Sequence, residues 1–257
     1  MPNDSVPRGV LVSAAGPQMR DALYDLALPS FRRYARRWGY AVDAVDLPAD
    51  GSCADALAQD AKWAKVSLLR AALLNHPLAV WLDADVLVLR TDEDIATHLH
   101  PAHFQALALE QVPHEHRINP NTGVWVLRSC PAAFDFLDTV ENFGAQPGPW
   151  ADQGAVLAAL GWERGDKRYR WARPGVGNQF LTRTSWLPPG WNQPYLEHRH
   201  DDELYNGSSE SYTDRPSVAN PHALHFMGMA PAARYRRMSD AAGRLAHVSG
   251  LIDPVVA

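Results

Sequence analysis

The sequence is poor in cysteine and lacks any long apolar run. Its 257 residues include two cysteines, Cys53 and Cys130, which form no Cys-x-x-Cys pair and no other metal-ligand spacing. We therefore expect free thiols in a reducing compartment rather than a disulfide framework. No stretch approaches the roughly 18 consecutive apolar residues of a membrane-spanning helix, and Met1 to Ser5 are neither basic nor apolar. We expect a cytoplasmic protein without membrane insertion.

Basic residues are fewer than acidic ones. The chain has 24 lysines and arginines against 29 aspartates and glutamates, a formal net charge of -5. Such a balance gives no bulk attraction to polyanions, so we expect no nucleic-acid partner. Hydrophobic residues make up 46% of the chain, which is typical of a globular protein with a sizeable core. Because no repeat or linker interrupts the sequence, we expect one domain over residues 1–257.

Apolar patterns in the first third of the chain alternate between strand and helix. Buried strands are predicted at Gly9–Ala15, Tyr40–Val45 and Pro77–Leu82, and helices at Gln18–Leu28, from Pro29 to Trp38, and at Ala61–His76. A strand–helix–strand–helix–strand order is typical of a parallel, Rossmann-like sheet. We therefore predict an α/β protein with a mostly parallel central sheet flanked by helices.

Two aspartates follow the third predicted strand. Asp83 and Asp85 are separated by one small residue, so their side chains share a face if the chain stays extended. Two neighbouring carboxylates repel each other, and a divalent cation relieves that repulsion. Ligands of open α/β sheets bind beyond the carboxyl ends of the strands, where this pair lies. An isolated Asp-x-Asp can also be a simple acidic turn after a core strand. The motifs later in the chain argue against that alternative.

Three further motifs follow the aspartates. Asn119–Arg128 is a polar turn that opens directly into a predicted strand, and Asp152-Gln153 lies at the start of a predicted helix. A short strand-like segment, His222–Gly228, comes late in the chain. Two groups of histidines could in principle bind zinc, but no partner motif completes either site. They are His98, His100 and His103, and His114 with His116.

The order of these motifs resembles that of the GT-A-fold glycosyltransferases. It is most similar to the retaining family of fungal α-galactosyl- and α-mannosyltransferases and plant xyloglucan α-xylosyltransferases, from about Lys65 to Gly228. The resemblance implies a single GT-A domain with a nucleotide-sugar half at about 8–128 and an acceptor half at about 129–257. Members of the family are usually membrane-anchored and carry a lysine after His-Phe-x-Gly, where this chain has Ala230.

The resemblance also implies roles for individual residues. Asp83, Asp85 and His225 would hold Mn²⁺ or Mg²⁺, with Asp83 also near the donor ribose. Asp152 and Gln153 would lie at the reacting sugar. The remaining candidates for donor binding are Lys65, Asn121, the nucleotide-base segment Val12, Ser13 and Ala14, and the basic residues Arg234 and Arg236, which we expect to replace the missing lysine at the pyrophosphate.

The predicted activity is metal-dependent transfer of a sugar from a nucleotide-diphosphate sugar, with retention of anomeric configuration. A UDP-sugar is the favoured donor and a GDP-sugar the alternative; the acceptor would be a small molecule or an oligosaccharide. A phosphatase of the haloacid-dehalogenase type also uses Asp-x-Asp, but Leu87 stands where it would carry Thr or Val. The other alternative is a GT-A module that binds nucleotide or glycan without turnover.

Overall fold

The computed structural model describes residues 6–48, 62–112, 117–144, 146, 151–164, 171–174, 178–195 and 217–249. Its strands are β1 Gly9–Ala15, β2 Tyr40–Asp46, β3 Leu78–Leu82, β4 Val86–Val88, β5 Gln105–Val112, β6 Arg117–Arg128, β7 Trp162–Arg164, β8 Trp171–Pro174, β9 Thr184–Leu187, β10 Gln193–Pro194 and β11 Ala223–His225. Its α-helices are α1 Leu28–Trp38, α2 Ala64–Asn75, α3 Pro131–Phe143, α4 Ala151–Ala159 and α5 Pro231–Ser249. No helix in these ranges is long and apolar enough to cross a membrane.

The central sheet has six strands in the order β2-β1-β3-β6-β5-β9. Strand β1 is parallel to β2 and β3, and β9 is parallel to β5, whereas β6 is antiparallel to both of its neighbours. Only β6 therefore runs against the other five, and the prediction of a mostly parallel sheet is confirmed. A small second sheet, β10-β11-β4, lies beside it.

Two apolar layers cover the two faces of the central sheet. The alternation along β3 shows why, since Ala79 and Trp81 face one layer and Val80 and Leu82 the other. Helices α2, α3 and α4 pack on the first face, and α1, β4 and part of α5 pack on the second. Every residue of β3 is buried, as expected for a central strand that is covered on both sides.

Helices α1 and α2 begin and end close to the predicted residues, whereas the 19-residue helix α5 was not predicted, and two further segments differ from the prediction. The first predicted helix is a π-helical segment, Ala22–Ala27, that continues without a break into α1. The residues Thr91-Asp92-Glu93-Asp94-Ile95 predict a helix capped by Thr91 or Asp92, but the structure has a short 3-10 turn here, Ile95–His98, capped by Asp94. Asp92 does not act as the cap because its carboxylate pairs with Arg90.

Candidate active site

Asp83 and Asp85 lie in a turn between β3 and β4. The Val86 amide donates to the Asp83 carbonyl oxygen over 3.0 Å and closes this turn. The Asp83 amide donates to the carbonyl of Gly123, and the Phe226 amide donates to the carbonyl of Asp85, each over 2.9 Å. The chain therefore does not stay extended, as the face-sharing argument assumed. The carboxylates converge instead because the two residues are anchored to different strands, β6 and the end of β11.

His225 completes a cluster with the two carboxylates. Its Nε2 lies 3.2 Å from Asp85 Oδ1 and 3.7 Å from Asp83 Oδ2. One ligand atom from each of the three residues lies within 4.8 Å of the other two. Two carboxylate oxygens and one imidazole nitrogen form a donor set that suits Mn²⁺ or Mg²⁺ better than a thiophilic metal. The structure thus brings together the three residues that the family resemblance assigns to the metal.

The His225 ring is oriented by Asn192. His225 Nδ1 lies 2.8 Å from Asn192 Oδ1, and an amide oxygen can only accept, so Nδ1 carries the proton. In the neutral ring, the lone pair is then on Nε2, the atom that faces both carboxylates. A cation at this point satisfies all three groups, and a hydrogen bond to the remote ring nitrogen is typical of metal-binding histidines. The residues present therefore fit a divalent metal.

Gly123 makes room for the histidine. A Cβ atom at this position would lie 2.2 Å from His225 Cε1 and 2.7 Å from His225 Nδ1. Any side chain here would displace the ring. The glycine of the Asn-Thr-Gly motif is thus explained by its contact with a residue about a hundred positions later in the chain.

Asp85 is buried, and its charge is stabilised by two neighbours. Burial alone would raise the pKa of its carboxyl group, but the charge of His225, when that ring is protonated, and the charge of Arg234 outweigh burial and hold the pKa well below its usual range. Arg234 Nε lies 3.2 Å from Asp85 Oδ2. Asp85 therefore offers a carboxylate, and not a carboxylic acid, at neutral pH.

Lys65 connects the metal cluster to helix α4. Its ammonium lies 3.1 Å from Asp83 Oδ1 and 2.9 Å from Asp152 Oδ2, and it donates to the carbonyl and hydroxyl oxygens of Thr122, each over 3.1 Å. Thr122 Oγ1 also lies 3.0 Å from Asp152 Oδ2. Burial alone would lower the pKa of Lys65, but the charges of Asp152 and Asp83 outweigh burial and raise it. The side chain is a buried cation that joins two parts of the site.

Comparison with known proteins agrees with this geometry. Residues 10–122 match the family described as galactosyl transferase GMA12/MNN10. The structure is similar to that of a glycosyltransferase involved in the glycosylation of the major capsid of PBCV-1. The alignment covers 90% of this chain and 98% of that protein, with a TM-score of 0.55 and 15% identity. The chain has the GT-A fold. The resemblance to this glycosyltransferase family is confirmed over the matched residues.

Curated plant proteins are similar to parts of the chain. A probable glycosyltransferase 6 of Oryza sativa subsp. indica is 33% identical over 105 residues, which cover 38% of this chain and 21% of the rice protein. A probable xyloglucan 6-xylosyltransferase 5 of Arabidopsis thaliana is 26% identical over 198 residues, 67% of this chain and 40% of its own length. The chain thus spans between about a fifth and two fifths of these relatives.

The expected nucleotide-base segment lies at the carboxyl end of β1 in the GT-A sheet. Val12 pairs in register with Trp81, so Ser13 and Ala14 lie beside the strand end that leads to Asp83. Val12 and Ser13 are buried, whereas Ala14 is partly exposed. Ser13 Oγ has no hydrogen-bond partner among the described residues.

Asn121 and Gln153 flank the Lys65 network. Asn121 Oδ1 accepts from the Gly123 amide over 2.8 Å, and its Nδ2 donates to Glu110 Oε2 over 3.2 Å, so the side chain shapes the turn before the buried half of β6. Gln153 follows Asp152 on α4, and its Nε2 is buried without a hydrogen-bond partner in the described part of the chain. Of these two side chains, Gln153 is the one with an unsatisfied donor among the described residues.

The two candidate arginines lie in different surroundings on α5. Arg234 is turned inward, where its guanidinium contacts Asp85 and the backbone carbonyls of Phe226 and Met229. Arg236 is exposed on the helix surface. The structure therefore brings Arg234, and not Arg236, to the aspartates.

Two further residues of the site were not predicted. Asn192 orients His225, and Thr122 binds both Lys65 and Asp152. Asn192 lies in a short 3-10 turn before β10 and has no local sequence signal. Thr122 is part of the Asn-Thr-Gly motif, so its position in that motif was the available signal.

The histidines that were considered for zinc do not form a common site in the described residues. His98 Nε2 lies 3.2 Å from Glu93, whereas His103 Nδ1 lies 2.9 Å from Ser185 Oγ. The His100 and His103 rings pack against each other at an interplanar angle of 47°, with centroids 4.7 Å apart. His114 and His116, like Cys53, lie outside the described residues.

Proposed function

We propose that the protein is a metal-dependent glycosyltransferase that moves a sugar from a nucleotide-diphosphate sugar, with a UDP-sugar favoured, to an acceptor hydroxyl with retention of configuration. The observation that carries this proposal is the cluster of Asp83, Asp85 and His225 beside the Lys65–Asp152 pair at one end of a GT-A sheet. The family resemblance over residues 10–122 supports it.

Asp83, Asp85 and His225 would hold the cation. A divalent cation bound there supplies Lewis-acid charge next to the departing diphosphate, which is otherwise a poor leaving group. The protein's own contribution is to keep the ligands ready, since Gly123 and Phe226 fix the backbone of the two aspartates and Asn192 fixes the imidazole. Ligands that are already in place lose little conformational freedom when the cation binds.

Asp152 and Gln153 would act at the sugar. Lys65 and Thr122 hold the Asp152 carboxylate in one orientation, and Lys65 joins it to Asp83 of the metal cluster. The Gln153 amide offers a buried donor without a protein partner among the described residues, and a sugar hydroxyl or ring oxygen can accept from it. An unsatisfied buried donor costs roughly 1–3 kcal/mol, which a bound ligand would recover.

The remaining donor contacts follow from the position of β1 and α5. Val12, Ser13 and Ala14 would lie against the nucleotide base, and Arg234 would place positive charge near the pyrophosphate. We further propose a small-molecule or oligosaccharide acceptor and a cytoplasmic location. The net charge of -5 supports the proposal that nucleic acid is not a partner.

The direct test is incubation with a panel of nucleotide sugars, Mn²⁺ and candidate acceptors. We expect acceptor-dependent release of nucleoside diphosphate that EDTA abolishes and Mn²⁺ or Mg²⁺ restores. Asp85→Asn should lose this activity, whereas Asp92→Asn, which changes an exposed carboxylate, should retain it. Full activity in excess chelator would contradict metal dependence.

The same assay separates the alternatives. Inorganic phosphate released from a phosphomonoester would indicate a phosphatase, although the GT-A fold and the engagement of Asp83 Oδ1 by Lys65 do not favour a nucleophilic Asp83. Binding of nucleotide sugars without turnover of any of them would indicate a module that only binds.

A further inference from the structure

Each of the two aspartates uses one carboxylate oxygen for a basic side chain and the other for the metal cluster. Asp83 Oδ1 lies 3.1 Å from Lys65 Nζ, and its Oδ2 faces His225. Asp85 Oδ2 lies 3.2 Å from Arg234 Nε in an ion pair, while the Nε hydrogen is donated to the Phe226 carbonyl; the other oxygen, Oδ1, faces His225. Lys65 and Arg234 therefore each contact a different aspartate of the cluster, and each leaves the other oxygen of that aspartate for a cation.

Arg234 is held in this position by its other contacts. Its Nε donates to the carbonyl of Phe226 over 3.0 Å, and another guanidinium nitrogen donates to the carbonyl of Met229 over 2.8 Å. The third nitrogen contacts the sulfur of Met19. Because the side chain is only 15% exposed, its charge is directed at Asp85 and is not dispersed in water.

We propose that Arg234 is a positioning residue that restricts Asp85 to one metal-ligating oxygen and keeps the affinity for a free divalent cation low. This inference rests on the proposed function. Three carboxylates, Asp83, Asp85 and Asp152, are opposed by Lys65 and Arg234, so the cluster has a formal charge of only -1 when His225 is neutral. A nucleoside diphosphate adds negative oxygens, so that cation and diphosphate bind more tightly together than either binds alone.

Removal of Arg234 should strengthen and not weaken cation binding, because the three ligands are anchored by other contacts. The backbone of Asp83 is bonded to Gly123, and the ring of His225 is bonded to Asn192, so neither depends on Arg234. Asp85 keeps the bond from the Phe226 amide to its carbonyl. Removing the arginine should therefore remove a repelling positive charge and free one carboxylate oxygen, while the ligands stay in place.

The experiment is titration of the metal-free protein with Mn²⁺ alone, followed by the electron paramagnetic resonance signal of free Mn²⁺. Arg234→Met, which keeps the length of the side chain and removes its charge, should bind Mn²⁺ about tenfold more tightly, equivalent to about 1.4 kcal/mol. Arg234→Lys, which keeps the charge, should stay within about threefold of the parent. Arg244→Met removes an exposed arginine of the same helix and should change the affinity less than twofold.

A repeat of the titration with UDP present tests the coupling. In the parent protein UDP should tighten Mn²⁺ binding strongly, and in Arg234→Met the gain should be smaller because the free site already binds well. Equal or weaker Mn²⁺ binding by folded Arg234→Met would overturn the inference, since a purely structural arginine predicts that result. If Arg234→Met does not fold, Arg234→Gln, which keeps a donor for the carbonyls, decides in the same way.

The outcomes also separate this inference from the proposed function. Tighter Mn²⁺ binding by Arg234→Met without sugar transfer from any donor would leave the inference standing and remove the proposed function. Sugar transfer by the parent protein together with unchanged Mn²⁺ affinity in Arg234→Met would support the proposed function and contradict the inference about Arg234.

Discussion

At the scale of single residues, Lys65 connects the most groups. It is a buried ammonium that contacts two carboxylates and two oxygens of one threonine, and it lies 5.4 Å from the centre of the Trp81 ring. Two carboxylates so close to one another are tolerable because this cation lies between them. Its role is therefore partly structural, and the stability of the site depends on it.

Lys65→Met should destabilise the protein because it leaves Asp83 and Asp152 without their shared cation. Removing one partner of a buried ion pair costs about 3–5 kcal/mol, which urea unfolding measures. The matched control is Lys62→Met, which changes an exposed lysine three residues earlier and should cost less than about 0.5 kcal/mol. An unfolding free energy of Lys65→Met equal to that of the parent would show that the network contributes no stability.

At the scale of elements, the site depends on how closely β6 approaches β11. Strand β6 pairs with β3 up to Val124 and with β5 on either side of an irregularity that contains Gly123, and the Gly123 carbonyl accepts from the Asp83 amide, so a shift of this backbone away from His225 would disturb the bond that anchors Asp83. Gly123 lies at this approach. Strand β6 therefore holds the His225 imidazole in place only as long as position 123 carries no side chain.

Gly123→Ala should displace the His225 ring and weaken Mn²⁺ binding at least tenfold while the fold is kept. The added Cβ would lie 2.2 Å from the ring, and overpacking of this kind costs roughly 1–3 kcal/mol. The control is Gly243→Ala on α5, where a Cβ meets nothing within 4 Å and the gain in helix propensity is about 1 kcal/mol. Thermal unfolding and Mn²⁺ titration of both variants check this, and normal Mn²⁺ affinity in Gly123→Ala would mean that the ring adapts.

The elements were largely predictable from the sequence, whereas the contacts between them were not. The apolar patterns of Gly9–Ala15 and Pro77–Leu82 directly predicted β1 and β3, because both strands are covered on both faces. The turn at Asp83 could not be predicted, since it depends on hydrogen bonds from β6 and from the end of β11. Asn192 and Arg234 act through residues that are distant in sequence, and no local pattern indicates such a partner.

At the scale of the whole molecule, the two halves of the predicted site come from different layers. Lys65 and Asp152 belong to helices that pack on one face of the central sheet, and Arg234 belongs to a helix that packs partly on the other. The cluster of Asp83, Asp85 and His225 lies where strands of both sheets end. Groups from both faces of the central sheet therefore meet at this cluster, with Asp152 supplied by helix α4 and Arg234 by helix α5.

The stereochemistry of the reaction tests that arrangement. If Asp152 and Gln153 act at the sugar from the α4 side, an α-linked donor should give an α-linked product, and proton NMR of the first product shows its anomeric configuration. Gln153→Ala should lower kcat more than donor affinity, because its unpartnered amide would contact the reacting sugar rather than the nucleotide. Gln146→Ala, at a partly exposed glutamine that caps the end of α3, is the matched control and should leave both quantities unchanged. A β-linked product would contradict retention. Weakened donor binding with normal kcat in Gln153→Ala would mean that the side chain binds the donor equally well in the ground state and in the transition state.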